Sequence, residues 1–207
     1  MKVMLVNGSP HEHGCTDAAL REVAQALNSD GIDTEIFWIG NTPIGGCIAC
    51  GGCVKAGKCV FGGTVNEFAE KAKTADGFVF GSPVHYAAAS GNMTAFLDRL
   101  FYSAPTETFR YKPAAVVTSA RRAGTTATYD QLLKYPGITE MPIVSSCYWN
   151  NVHGAKAEDV QKDEEGVRIM RVLGHNMAWL LRCIDAGKAA GVPAPRKEPL
   201  ARTNFIR

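Results

Sequence analysis

The chain has no apolar stretch approaching the roughly 18 residues needed to cross a bilayer, and its amino-terminal run, Met1 to Asn7, is too short for a signal peptide. No membrane association is expected, and a cytoplasmic location is. The basic excess of a nucleic-acid binder is also missing: 22 Lys and Arg stand against 20 Asp and Glu, a formal charge of +2. No nucleic-acid partner is expected. Low-complexity bias is absent as well, since hydrophobic residues at 46% and charged residues at 20% describe an ordinary folded domain. Two further absences concern the first loop, which carries neither the lysine of a Walker sequence nor G-x-G-x-x-G. Nucleoside triphosphates and a Rossmann dinucleotide site both lose ground.

At 207 residues the chain is long enough for one domain with a full core. Val3 to Val6 reads as a buried strand, and Leu20, Val23, Ala24 and Leu27 recur at helical spacing. The unit repeats. Strands are expected at Thr34–Trp38, Gly77–Phe80, Ala114–Thr118 and Ile143–Ser145, with helices around Val65–Ala72, Met93–Leu100, Tyr129–Leu133 and Val167–Ile184. Five strands alternating with helices imply a parallel α/β sheet covered on both faces, with ligands bound beyond the strands' carboxyl ends. Residues 1–186 form the expected domain. The Pro-, Ala-, Lys- and Arg-rich tail 187–207 has no periodicity and leaves the surface, its last residues, Thr203 to Arg207, either packing on a partner subunit or fraying.

Gly8-Ser9-Pro10-His11-Glu12-His13-Gly14-Cys15-Thr16 joins the first strand to the first helix, placing backbone N–H groups and the positive helix end around an anion. Ser9 and Thr16 add hydroxyls. A terminal monophosphate held by neutral donors suits this loop. Thr16 as a plain helix cap is the alternative.

Four of the seven cysteines, Cys47, Cys50, Cys53 and Cys59, fall within thirteen residues, a crowding that packing alone does not explain. An odd total in a reducing compartment speaks for metal, cluster or redox chemistry over disulfides. The C-x2-C-x2-C-x5-C run is similar to those that hold a [4Fe–4S] cluster, although Val60 stands where bacterial ferredoxins place proline. Zinc, a redox dithiol and cysteines packed as small residues stay open. Cys147 and Cys183 are expected in the core. The suspicious segments follow the first four strands, so one site assembled from four loops is expected.

The first loop, with Gly81-Ser82-Pro83-Val84-His85-Tyr86 and Gly91 to Arg99, resembles the flavodoxin-like NAD(P)H-dependent FMN reductases, and the cysteine spacing resembles their iron–sulfur flavoprotein branch. The resemblance covers nearly the whole chain. It implies a flavodoxin-like three-layer sandwich, five parallel strands in the order 2-1-3-4-5, and bound FMN. Carried over position by position, it places Ser9, His11, Cys15 and Thr16 around the phosphate. Pro83, Val84, His85 and Tyr86 would lie along the isoalloxazine, and Ser119, Arg121, Arg122 and Gly124 at its pyrimidine edge. His11 and Cys15 depart from the family's usual Arg and Asn or Ser. The Arg121-Arg122 pair is either a charge partner for flavin or pyridine nucleotide, or a solvated surface pair.

The function so implied is an FMN oxidoreductase that takes hydride from NAD(P)H and passes electrons to a quinone, azo, nitro or flavin acceptor, with no catalytic side chain. The alternative is an electron carrier whose [4Fe–4S] cluster exchanges electrons with FMN and a ferredoxin-like donor. A homodimer or homotetramer is expected from the resemblance.

Overall fold

The computed structural model describes residues 1–199 together with Ala201, Thr203 and Phe205. Five parallel strands, β1 (Lys2–Asn7), β2 (Asp33–Trp38), β3 (Gly77–His85), β5 (Ala114–Ala120) and β6 (Asn151–His153), lie in the order β2-β1-β3-β5-β6. A two-residue strand, β4 (Ala88–Ala89), pairs antiparallel with the end of β3. Counted over the parallel strands alone, this is the expected 2-1-3-4-5 order.

Strand periodicity explains the three layers. Val3, Leu5, Val79, Ala115 and Val117 face one way and join the core under α1 (Cys15–Ser29) and α7 (Glu164–Ala189). Met4, Val6, Phe78, Phe80, Ala114 and Val116 face the other way, under α3 (Thr64–Ala72), α4 (Gly91–Ser103) and α5 (Thr125–Ile138). That second face is aromatic: Phe68 sits with its ring centroid 5.5 Å from Phe96 and 6.2 Å from Phe78, both at edge-on angles.

One strand is displaced from its expected position. Ile143 makes only an isolated bridge to Ala114, and the chain then loops out through Ser145–Trp149. Pairing resumes through Asn150, whose side-chain Nδ2 donates to the Val116 carbonyl at 3.0 Å and whose own carbonyl accepts from Thr118 N–H at 2.9 Å. The fifth strand therefore runs over 151–153. Short helices α2 (Gly52–Ala56) and α6 (Ala157–Val160) have too few residues for a periodic pattern and go unseen in the sequence.

Cys147 and Cys183 are exposed, contrary to the expected core positions. Cys147 lies in the looped-out segment. Cys183 shares the outer face of α7 with Trp179, one turn earlier and 67% exposed.

Beyond α7 the Val192 N–H donates back to the Gly187 carbonyl, and Lys197 pairs with Glu107 at 3.0 Å. Of the terminal residues, Phe205 is exposed, and Asn204, Ile206 and Arg207 lie outside the described residues. Among the described residues no helix is long and apolar enough to cross a membrane.

Candidate functional site

The loop between β1 and α1 is held from three sides. Asn7, fully buried, accepts from Ser9 N–H through Oδ1 at 3.0 Å and donates through Nδ2 to the Glu12 carbonyl at 2.9 Å, so one side chain spans the loop. Trp38, at the end of β2, donates its indole N–H to the Ser9 carbonyl at 2.8 Å. From the other flank, Gly8 N–H donates to the Gly81 carbonyl at 2.9 Å, and the Ser90 hydroxyl donates to the Gly8 carbonyl at 2.7 Å. A Cβ at Gly8 would stand 2.5 Å from Met93 Sδ and 2.9 Å from the Gly81 oxygen, so the close approach of the three segments requires glycine.

Helix α1 begins without a side-chain cap, because its N-cap is Gly14. The first-turn N–H groups of Cys15, Thr16 and Asp17 have no intrahelical acceptor, and the helix dipole adds positive potential at the same place. An external anion satisfies both. Around this point the Thr16 and Ser119 hydroxyls hydrogen-bond at 2.8 Å, joining the start of α1 to the end of β5. The Cys15 thiol points at the Gly154 carbonyl, 3.4 Å away, joining the loop after β6. Burial, and then the negative charge of Asp159, push the Cys15 thiol pKa up.

The result is an open cleft of about 560 Å³ at the carboxyl end of the sheet. Of the twelve residues expected around a cofactor, nine line it: Ser9, His11, Cys15, Thr16, Pro83, Val84, His85, Ser119 and Arg121. Three do not. Tyr86 and Ala87 are the central pair of the two-residue turn between β3 and β4, with φ of 51° and 58°, and this turn carries Tyr86 into solvent. Gly124 supports that turn from beneath: at φ 92° it lies so close that a Cβ would meet Ala87 Cα and Val84 Cγ1 at 2.8 Å. Arg122 is exposed and also lies off the cleft.

Residues Gly154 to Glu158 form a wall that sequence reasoning missed. The rule that loops after parallel strands carry sites points to this segment only with the fifth strand at Asn151–His153, eight residues beyond its expected position. The donor set fits a phosphorylated flavin: an uncapped helix end for the phosphate, and the apolar surface of Pro83 and Val84 beside it for a planar ring.

The cysteines do not join this cleft. Cys47, Cys50, Cys53 and Cys59 line a separate apolar cavity of about 20 Å³ against Arg99, Tyr102 and Ser103 of α4. The expected single site is therefore two. Its reason lies in α4: Asn92 at the top holds the Ile44 N–H at 3.1 Å and the Thr42 carbonyl at 3.0 Å, and the chain then follows the helix down to Arg99. All seven cysteines are free thiols, Cys59 buried, Cys53 half-buried, and Cys47 and Cys50 exposed. Among the described residues no group of three or more Cys, His, Asp or Glu is disposed for a single metal ion. Four thiols around one cavity are nonetheless the donor set of an iron–sulfur cluster, and the buried Ser103 hydroxyl beside them has no hydrogen-bond partner among the described residues.

Comparison with known proteins agrees with this geometry. The family model described as NADPH-dependent FMN reductase matches residues 1–156. An iron–sulfur flavoprotein of Methanocaldococcus jannaschii is 30% identical over 194 residues, 89% of this chain and 99% of that protein. Among solved structures, RosB with bound 8-demethyl-8-formylriboflavin-5'-phosphate superposes with a TM-score of 0.69 at 14% identity, covering 100% of this chain and 92% of that one. A flavodoxin from the domain Archaea superposes at 0.57 and 17% identity, covering 88% and 99%. With its flavodoxin-like fold and an uncapped helix end facing the cleft, the chain belongs to the NADPH-dependent FMN reductase family and is a flavoprotein oxidoreductase.

Proposed function

We propose that this chain is an iron–sulfur flavoprotein that binds FMN in the cleft and a [4Fe–4S] cluster through Cys47, Cys50, Cys53 and Cys59, relaying electrons between a ferredoxin-like protein and a small-molecule acceptor. The observation that carries this reading is the convergence of all four cysteines on one cavity, although they enter it from a loop, a short helix and a turn. The name of the Methanocaldococcus jannaschii relative supports it. FMN supplies both one- and two-electron chemistry at its ring, and a cluster supplies single electrons.

In this reading the chain's own residues bind, orient and compensate charge. The first turn of α1 and the Ser9 and Thr16 hydroxyls hold the phosphate. Pro83, Val84 and His85, which line the cleft, would lie along the ring, and Arg121 would stand at its pyrimidine edge, where positive charge favours the reduced, anionic form. No side chain acts as acid or base. The assembly is a cytoplasmic homodimer or homotetramer.

A second reading is favoured by the cleft itself, which is open, about 560 Å³ in volume and carries the basic Arg121 and Lys156 at its lining. In it NADPH or NADH delivers hydride to the flavin, the acceptor is a quinone, azo, nitro or flavin compound, and the cysteines hold no cluster. Visible absorption of protein purified without oxygen, with iron and sulfide analysis, separates the two. Flavin bands over a broad shoulder, four iron per chain for a [4Fe–4S] cluster, and slow bleaching by NADPH support the relay. Flavin bands alone, bleached rapidly by NADPH, support the hydride-driven reductase.

A further inference from the structure

Arg99 is the one strongly buried basic side chain in the cysteine pocket, 8% exposed, yet none of the ion pairs among the described residues includes it. Its Nε donates to Cys59 Sγ at 3.2 Å and its Nη2 to the Gly62 carbonyl at 2.8 Å, with the guanidinium 5.9 Å from the centroid of Phe61. A buried cation without a counter-ion is costly, because desolvation is not repaid by a single thiol and a carbonyl. An anion in the cavity repays it. One helical turn later on the same face of α4, the Ser103 hydroxyl lines the same cavity, buried and without a partner among the described residues. Two independent groups on one helix face, a charge without a counter-charge and a hydroxyl without an acceptor, thus ask for the same thing.

We propose that Arg99 and Ser103 are positioning residues for a cluster held by Cys47, Cys50, Cys53 and Cys59, donating hydrogen bonds to its sulfurs and raising its reduction potential. This inference rests on the cluster reading above. A cluster ligated by four thiolates carries net negative charge, and gaining an electron adds to it. A guanidinium and a hydroxyl donor in a largely apolar cavity stabilise the more negative state, which moves the potential up. The five-donor guanidinium suits the role better than an ammonium, since Nε serves Cys59 while Nη2 keeps Gly62 in place.

The test is an anaerobic redox titration of the reconstituted, FMN-loaded protein, followed by visible absorption and electron paramagnetic resonance, with iron and sulfide measured on the same samples. Wild type is compared with Arg99→Gln and Ser103→Ala. At equal iron content the cluster's midpoint potential is expected to shift down in both variants, further in Arg99→Gln, with the flavin potential unmoved. A role confined to holding Gly62 would lower thermal stability in Arg99→Gln and leave the potential where it was. Full cluster content with an unshifted potential in both variants overturns the inference and leaves the cluster reading standing. If Arg99→Gln fails to fold, Ser103→Ala decides alone, because it removes only an unpartnered hydroxyl. Wild-type protein that takes up no iron overturns the cluster reading and the inference with it.

Discussion

The indole N–H of Trp38 donates to the carbonyl of Ser9 at 2.8 Å, so the end of one strand holds the loop that follows its neighbour. Trp38→Phe keeps a ring of similar placement and removes the donor. The net loss of about 1 kcal/mol for one hydrogen bond is expected to weaken FMN binding roughly fivefold. Titration of the apoprotein by quenching of flavin fluorescence checks this, and an unchanged dissociation constant would show that the loop holds its shape without Trp38.

Gly8→Ala is expected to lower stability by about 1–3 kcal/mol, as overpacking does. The added methyl meets Met93 Sδ, which can turn away, and also the Gly81 oxygen, which belongs to β3 and cannot. Thermal melts of the apoprotein read the loss. A melting temperature equal to wild type would mean that β1 and β3 are looser here than the 2.9 Å contact implies.

Replacing Ala87 by glycine should have the opposite sign. Ala87 sits at φ 58°, a left-handed conformation that costs an L-residue about 1–2 kcal/mol, while the added freedom of unfolded glycine returns about half of that. A small rise in melting temperature is expected, with flavin binding unaffected. A drop would assign the Ala87 methyl a packing role.

Cys15 offers a map of the cleft that needs no activity. Burial and Asp159 hold its thiol protonated at pH values where an ordinary cysteine begins to ionise, so iodoacetamide should label it more slowly than the exposed Cys147. Saturating FMN should slow Cys15 further and leave Cys147 alone, as read by peptide mass spectrometry. Equal effects on both would place the flavin elsewhere.

Glu35 accepts from Lys2 at 2.5 Å and from Lys71 at 2.7 Å, and these hydrogen bonds hold its carboxyl below the usual carboxylate range. Its folded pKa lies below the unfolded one, so its stabilisation is present above about pH 4.3 and is lost as pH falls through the depressed value. Glu35→Gln should therefore melt lower than wild type at pH 7, by under about 1 kcal/mol for a partly exposed pair, and the two melting curves should converge in acid. A gap that persists at pH 2 would contradict the ion-pair account.

Elements whose pattern is long and local were legible from the residues alone. The apolar run Val3 to Val6 fixes a strand with two buried faces, and the glycine-bounded run from Gly8 to Thr16 marks the turn from that strand into a helix, because both follow from covalent geometry and nearest neighbours, whereas the uncapped start at Gly14 is seen only in the structure. Of the twelve residues that the family resemblance placed around a cofactor, nine line the cleft, because they lie in the segments that follow or end β1, β3 and β5. Features that depend on partners distant in the chain emerge only in the folded molecule. Asn150 restarts the fifth strand through bonds to β5, and only then does the Gly154–Glu158 loop reach the cleft. The cysteine loop follows α4 away from the cleft because Asn92 and Arg99 grip it at two levels, and no spacing of cysteines encodes which helix will do so.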